Sequence, residues 1–589
     1  MKLTKLYRAA AGLLALATVS ACESALDMAP DGYVSIPQIF QDNEQTGAWL
    51  NTCYEYIPEM GIKFHYWSRG LVVWSDEAWD SDEGAGLMSG LLYKGQASAD
   101  NHPIVNLSAN FGNGDYWNRY WAAIRKCAVF LSYIDGANVT SQSDKMRWKA
   151  EAHVLRAYYY SELLRWYGTG LPIVREAYAL DTDFGKVVKP SFYESVQFVI
   201  EDCNAALAIS QLPWRITTAA EAGRMTKAVA EAIRARMILY AASPLYNDGQ
   251  DHWDEAYRIT KEAVTNLKKN GYALYDKVNY PEFKEATAFL PNDGAALYNE
   301  YFTSTMEYTA DPADRETIYQ NKADQGAVFQ MDGIGINGDK SGTNPSQELV
   351  DCYETVDGEP VLDLANPYED DAHRQPNYNR ANTTYDPQNP YENRDPRFYA
   401  SIFYNGQNWN GTTIETFRGG AHNNTNTSTR TGYYMSKFCG SEVVISGTPT
   451  NTNHCFPLFR YAELLLDYAE AVNEAYGPDV DPLGCGLTAR DALKAVRSRV
   501  LRPSQSDVDA AEGDSDAMRA AIRRERRVEL AFEDHRYYDV KRWKIADEVL
   551  SESIRGMQIT KNGDTFSYQI VENVNSRQFS PKFYLYPIP

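Results

Sequence analysis

The chain has 589 residues, a formal net charge of -22, 44% hydrophobic and 23% charged residues. This is a folded, acidic protein long enough for one very large domain or several ordinary ones. The charge argues against nucleic acid, whose phosphates require clustered Lys and Arg, and against docking on anionic lipid through a basic patch.

The N-terminus carries Lys2, Lys5 and Arg8, then an apolar run from Ala9 to Val19. The run is too short to span a bilayer as a helix and reads as an export signal. Val19-Ser20-Ala21-Cys22 resembles the bacterial lipobox, in which the cysteine thiol is diacylated and becomes the new N-terminus. We therefore expect residues 1–21 to be a lipoprotein signal peptide, Cys22 the lipidation site and 22–40 a tethering leader, an anchor that needs no spanning segment. The alternative is an ordinary signal with a chance cysteine.

Helical periodicity dominates the next portion. "MRWKAEAHVLRAYYYSELLRWYG", Met146 to Gly168, places Leu155, Tyr159 and Leu163 on one face, and Gly168, Gly170 and Pro172 end it. Arg224 to Asp248 is a second helix, with Ala228, Ala232 and Ala235 small enough for close packing. Phe459 to Gly477 is a third, with Leu464, Tyr468 and Val472 in register. Two more are expected at Ala489–Arg499, with Thr488 as N-cap, and at Asp516–Phe532. Helices rich in Ala and Tyr suggest antiparallel tetratricopeptide-like pairs, without a clean repeat. Between about 285 and 455, Gly, Asn, Asp, Pro and Thr predict loops and short strands, where binding residues tend to lie.

Several stretches, in order, resemble one family: "AEAHVLRAYYYSELLRWYGTGLPIV", "KAVAEAIRARMILYAASPLYND", "ELVDCYETVDGEP", "NRDPRFYASIFYNG", "FRYAELLLDYAEAVNEA", "IRRERRVELAFEDHRYYDVKRW" and "FYLYPIP". They are similar to segments of the SusD/RagB family of outer-membrane lipoproteins. The resemblance implies a mostly α fold, with tetratricopeptide-like helix pairs as scaffold and a loop-rich, short-strand ligand face. Residues 41–285 would form the N-terminal helical region and 286–589 the C-terminal region with loop-rich insertions. It also implies a glycan ligand, no catalysis, and a SusC-like TonB-dependent transporter over which the protein sits, lipid-anchored at the cell surface.

Candidate contacts to glycan combine flat rings with hydrogen-bonding neighbours. Sugar rings pack C–H faces on aromatics, which lose little freedom on binding. Trp67, Trp74 and Trp79 stand with Asp76, Glu77 and Asp80 in "KFHYWSRGLVVWSDEAWDSDEG". Trp409 lies among Asn405, Gln407, Asn408 and Asn410, and Tyr301 lies in "ALYNEYFTSTMEY" with Tyr298 and Phe302. Each could instead be core. Trp121 is expected to face the core, on one helix face with Trp117 and Ile124. The charged segment Arg523 to Trp543 is read as an ion-pair network holding its helix to the scaffold, aided by i,i+3 pairs Arg526/Glu529 and Glu533/Arg536. His153 is read as a core or capping histidine. No metal or cofactor motif is present; a bracing calcium cannot be read from sequence. If one disulfide forms, Cys439 and Cys455 are the pair to test. Three rivals stay open: a peptide-binding lid of the same fold, a glycosidase using Asp76 with Asp80 or Asp82, and a protein-docking scaffold.

Overall fold

The computed structural model describes residues 34–58, 71–81, 89–99, 101, 116–178, 182–280, 290–303, 314–320, 333–335, 342–370, 373, 375–425, 427–440, 445, 456–500, 505–586 and 588. The fold is mostly α with short two-stranded sheets, as expected. Its helices of six residues or more are α1 (Asn43–Tyr54), α2 (Tyr116–Tyr133), α3 (Gln142–Tyr167), α4 (Phe192–Leu207), α5 (Lys227–Ala242), α6 (Trp253–Lys269), α7 (Asp293–Thr303), α8 (Gln347–Cys352), α9 (Pro396–Ser401), α10 (Tyr461–Tyr476), α11 (Ala489–Ser498), α12 (Ser515–Glu529) and α13 (Arg536–Arg542). Successive helices from α2 to α6 pack pairwise, and α10 then packs on α6, α11 and α12.

Two helices form the centre. Every residue of α3 from Ala150 to Tyr167 except His153 is buried, as is every residue of α5 from Ala228 to Ala242. A helix without a polar face has to be surrounded by protein. The charges it carries are therefore paired: Arg156 with Asp202, Arg165 with Glu162, Arg234 with Glu231, and Arg236 with Glu463. His153 joins the first of these, its Nδ1 2.7 Å from Asp202 between α3 and α4. It is thus part of an ion cluster, neither an apolar core residue nor a cap.

The helix limits follow local chemistry. α3 begins earlier than its apolar pattern suggests, because the Ser141 hydroxyl accepts the Asp144 N–H. It ends at Gly168, where φ is 72° and a Cβ would lie 2.4 Å from Leu585. α5 stops at Ala242, short of the Asp248 expected, because Ser243 precedes Pro244 and turns extended. Thr488 caps α11 as expected, in a reciprocal box with Asp491. α12 ends at Glu529, and Phe532 and Asp534 follow with φ of 64° and 68°.

The strands pair antiparallel: β1 (Ala78–Asp80) with β3 (Thr343–Pro345), β2 (Thr317–Tyr319) with β8 (Phe459–Arg460), β4 (Ile402–Phe403) with β7 (Tyr434–Met435), β5 (Asn408–Trp409) with β6 (Thr412–Thr413), and β9 (Ile554–Asn562) with β10 (Thr565–Asn575). The first three pairs join segments far apart in sequence; the last is a long hairpin.

Buried charge ties the C-terminal half together. Glu529 meets Arg397, Arg460 and Arg499; Glu533 meets Lys437 and Arg460; Arg526 meets Asp467 and Asp539. This is the network expected for the segment, but its partners come from other elements. Arg526 and Glu529 do not pair with each other, and Arg536 pairs with Asp76, not Glu533. One further clamp closes the ends of the described chain: the Arg577 guanidinium donates to the carbonyls of Val73, Ser75 and Ala78.

Candidate functional site

Residues 355–394 leave the scaffold as a folded excursion and return. Bridges between Thr355 and Arg394, Leu362 and Tyr378, and Tyr368 and Pro376 hold its two limbs together. The Arg394 guanidinium, 1% exposed, staples the base by donating to the carbonyls of Val350, Tyr353 and Pro390 at 2.6–2.7 Å. The Asn382 amide donates to the carbonyl of Pro360 at 3.0 Å. A hollow opens on each side of this excursion.

The first is a cleft of about 400 Å³ walled by Leu362, Leu364, Pro367, Val549 and Ile554 over a charged floor. Asp76 receives Arg536 through both oxygens, at 2.8 and 2.9 Å, and Arg527 at 2.8 Å. Burial opposes its ionisation, but the two guanidinium groups prevail and hold the carboxyl well below its usual range. Glu348 faces Arg555 at 2.8 Å, yet burial pushes it up to about 7. Burial likewise raises Asp351 to about 6; one oxygen accepts from Gln347 at 2.8 Å and the other is buried without a hydrogen-bond partner. The Tyr368 ring lies against His373 (4.4 Å, 19°) and the Arg555 guanidinium (4.7 Å). Its faces are thus engaged by protein. Apolar walls above mutually compensated charges favour a ligand with an apolar body more than a polyhydroxylated one.

The second hollow is an open groove of about 560 Å³ between the 375–388 limb and β10, lined by Tyr378, Tyr568, Gln375, Gln388, Gln569 and Glu572 with Pro376, Pro387 and Ile570. Phe566, Tyr568 and Ile570 alternate half-buried with the exposed Ser567 and Gln569, the period-2 signature of a strand with one covered face. Tyr568 stands edge-on to Tyr391 (5.5 Å, 89°), and Tyr378 packs on Tyr385 (5.5 Å, 41°). Both groove rings are thus braced by an inner layer of rings.

The expected glycan contacts are scattered, and several are core. Trp74 is 2% exposed, edge-on to Trp166 and Tyr537. Trp79 is 5% exposed within β1, opposite Asn344, with Arg430 5.5 Å from its ring. Trp409 is 1% exposed and meets Phe403 at 4.6 Å and 85°. It is not the exposed platform its amide neighbours suggest. Asn410 and Gly411, with φ of 48° and 81°, form the two-residue turn of a β5–β6 hairpin, so alternation sends Asn408 and Asn410 outward and Trp409 inward. Tyr301 is buried too, its hydroxyl 2.9 Å from that of Thr317. Tyr298 donates to the Glu529 carbonyl. Trp121 packs partly buried against Trp117 and Tyr160, as expected. Of the described members of the candidate set, only Asp76 lines either hollow, and it does so within an ion pair. Trp67, Asp82, Cys22 and Cys455, the proposed partner of Cys439, lie outside the described residues.

Sequence reasoning missed Tyr378 and Tyr568. The signal was available in "TFSYQI", which alternates as an edge strand does. Nothing in the sequence brings Tyr378 beside it. Among the described residues, no group of three or more His, Cys, Asp or Glu could hold a metal ion, and no helix is long and apolar enough to cross a membrane.

Comparison with known proteins places the molecule. The SusD family model matches residues 298–589, and a second model, described as starch-binding and associating with the outer membrane, matches 88–239. A SusD-like carbohydrate binding protein from Bacteroides fragilis is 25% identical over 94% of this chain and 98% of its own, with a TM-score of 0.66. Another SusD-like protein from Bacteroides fragilis gives 24% identity, 94% and 95% coverage and a TM-score of 0.70. SusD-like protein P2 of Formosa agariphila is 35% identical over 120 residues, which span 20% of this chain and 22% of that relative. With both models matching in chain order and the same fold over nearly the whole length, the chain belongs to the SusD/RagB family.

Proposed function

We propose that the protein is a non-catalytic, cell-surface carbohydrate-binding lipoprotein that captures oligosaccharide or polysaccharide and delivers it to a SusC-like TonB-dependent transporter. The observation carrying this reading is the similarity to a SusD-like carbohydrate binding protein over 94% of the chain. The model described as starch-binding and associating with the outer membrane agrees with it. Cys22 would supply the lipid anchor, consistent with the absence of a spanning helix among the described residues. Binding without turnover fits the carboxylates. Asp76 is held ionised by two arginines, which suits positioning and not proton transfer, and Asp80 is buried in β1.

Purified protein is screened against neutral and acidic polysaccharides by affinity gel and calorimetry, with Trp67→Ala included. Labelled fatty acid incorporation is compared with that of Cys22→Ala, and the transporter is sought by co-purification. Retention by a glycan class without release of reducing ends supports the reading. Failure to bind any polysaccharide, or steady release of reducing ends, refutes it.

A further inference from the structure

We infer that the open groove between the 375–388 limb and β10 is a binding site for a neutral oligosaccharide, with Tyr378 and Tyr568 as stacking rings and Gln375, Gln388 and Gln569 as partners for sugar hydroxyls. The inference rests on the carbohydrate-binding reading and gives it a location. Three observations converge. The groove holds about 560 Å³, within the ~300–1,000 Å³ range of small-ligand sites. Its rings are fixed before any ligand arrives: Tyr568 rests on Tyr391, which in turn meets Tyr404 at 4.9 Å and Phe398 at 6.1 Å, and Tyr378 rests on Tyr385. Stacking on a fixed ring loses little side-chain entropy. The polar lining is mainly amide, which can both donate and accept, as each sugar hydroxyl requires. Among its described lining residues there is no Lys or Arg, and Glu572 is the only ionisable group apart from the tyrosines, so none of these residues selects an anionic ligand. Across the excursion, the cleft at Asp76 has the opposite character, apolar walls over paired charges.

One other ligand would suit the place. Among the described strands β10 pairs with β9 alone, so its other edge offers main-chain groups to an extended peptide. The two rings and the amide lining favour sugar.

The test compares the wild type with Tyr378→Ala, Tyr568→Ala, Gln388→Ala and Gln569→Ala on affinity gels of amylopectin, a β-1,3-glucan, galactomannan and arabinoxylan. Tyr378→Phe and Tyr568→Phe keep the rings, and melting curves verify folding. Each ring deletion should weaken binding by about tenfold, and each Phe variant by no more than about threefold. Gln388 and Gln569 are exposed, so their loss tests the site without disturbing the core. If the wild type binds a neutral glycan and all four Ala variants bind equally well, the groove is overturned while the carbohydrate function stands. If the wild type binds no glycan, the function itself fails. Retention of peptides from a casein digest, lost in the groove variants and unaffected by glycan, would overturn the sugar assignment in favour of strand addition.

Discussion

Replacing Lys541 with Met should stabilise the protein, by an amount that depends on pH. Lys541 lies on α13, is 1% exposed, and its Nζ has no hydrogen-bond partner. It sits 5.1 Å from the Tyr537 ring and 5.0 Å from the Tyr586 ring. Burial pushes the ammonium down from 10.5 to about 7. At about 1.4 kcal/mol per tenfold in proton affinity, keeping this amine in the core costs about 5 kcal/mol at and below neutral pH. The facing rings return about 1–2 kcal/mol to the charged form. Methionine fills a similar volume and packs well against rings, so Lys541→Met should gain roughly 2–4 kcal/mol near neutrality. The sign of the pH effect follows from linkage. Below about pH 7 the unfolded chain carries the proton and the full penalty applies. As pH rises towards 10.5 the unfolded lysine also loses its proton, and the penalty fades. Denaturant unfolding of both proteins at about pH 6.5 and about pH 9.5 should therefore show an advantage for the variant that is about 3 kcal/mol smaller at the higher pH. A variant that is destabilised at both values, or equally stabilised at both, would refute the reasoning.

Trp409→Ala should cost about 3–5 kcal/mol of stability through its core cavity; if glycan affinity collapses while the melting midpoint holds, the burial argument is wrong. Glu529 is buried among three arginines that outweigh its burial, holding its carboxyl at about 2 against an ordinary 4.5. Its stabilisation is complete above about pH 4.5 and is lost as pH falls towards 2. Glu529→Gln should then lower stability at neutral pH by about 3–5 kcal/mol and flatten the acid limb of a stability-against-pH curve. At Gly556 a Cβ would lie 2.5 Å from the Thr431 Cα, where β9 crosses the 428–435 segment. Gly556→Ala should cost about 1–3 kcal/mol and speed amide exchange in β9 and β10 ahead of the helices, as read by mass spectrometry.

The helical frame was legible because its signals are local. Thr488 with Asp491, Gly168 after an aromatic helix and the Ala-rich run at 228–235 each fix an element by chemistry within a few residues. α3 was legible as a helix through the face carrying Leu155, Tyr159 and Leu163, but its burial on every side from Ala150 to Tyr167 apart from His153 was not, because Arg156, Glu162 and Arg165 read as a solvated face until their partners are in place. Site residues were harder because exposure is not local. Trp409 among four amides looked solvated, yet the Asn-Gly turn after it sets a hairpin alternation that turns the ring inward. Trp74 and Trp79 looked like a platform beside acids; Trp74 is covered by Trp166 and Tyr537, and Trp79 lies in β1, which pairs with β3 more than 260 positions away. Asp76 was singled out as a sugar partner, and its fate is decided by Arg527 and Arg536. Conversely, Tyr378 and Tyr568 share a groove only because the 355–394 excursion folds back on itself through single bridges.

The Arg577 clamp has a consequence for how the chain reaches its native state. Residues 71–81 form one helical turn of their own, but the carbonyls of Val73, Ser75 and Ala78, the Asp76 carboxylate and the β1 edge are satisfied by Arg577, by Arg527 and Arg536, and by β3. A chain of only the first 500 residues therefore lacks Arg527, Arg536 and Arg577, the three guanidinium groups that hold this layer. For a polypeptide that our proposal sends through a secretion channel before it folds, such late closure is an asset. The segment cannot lock early, and the final assembly step is deferred until the whole chain is on the far side.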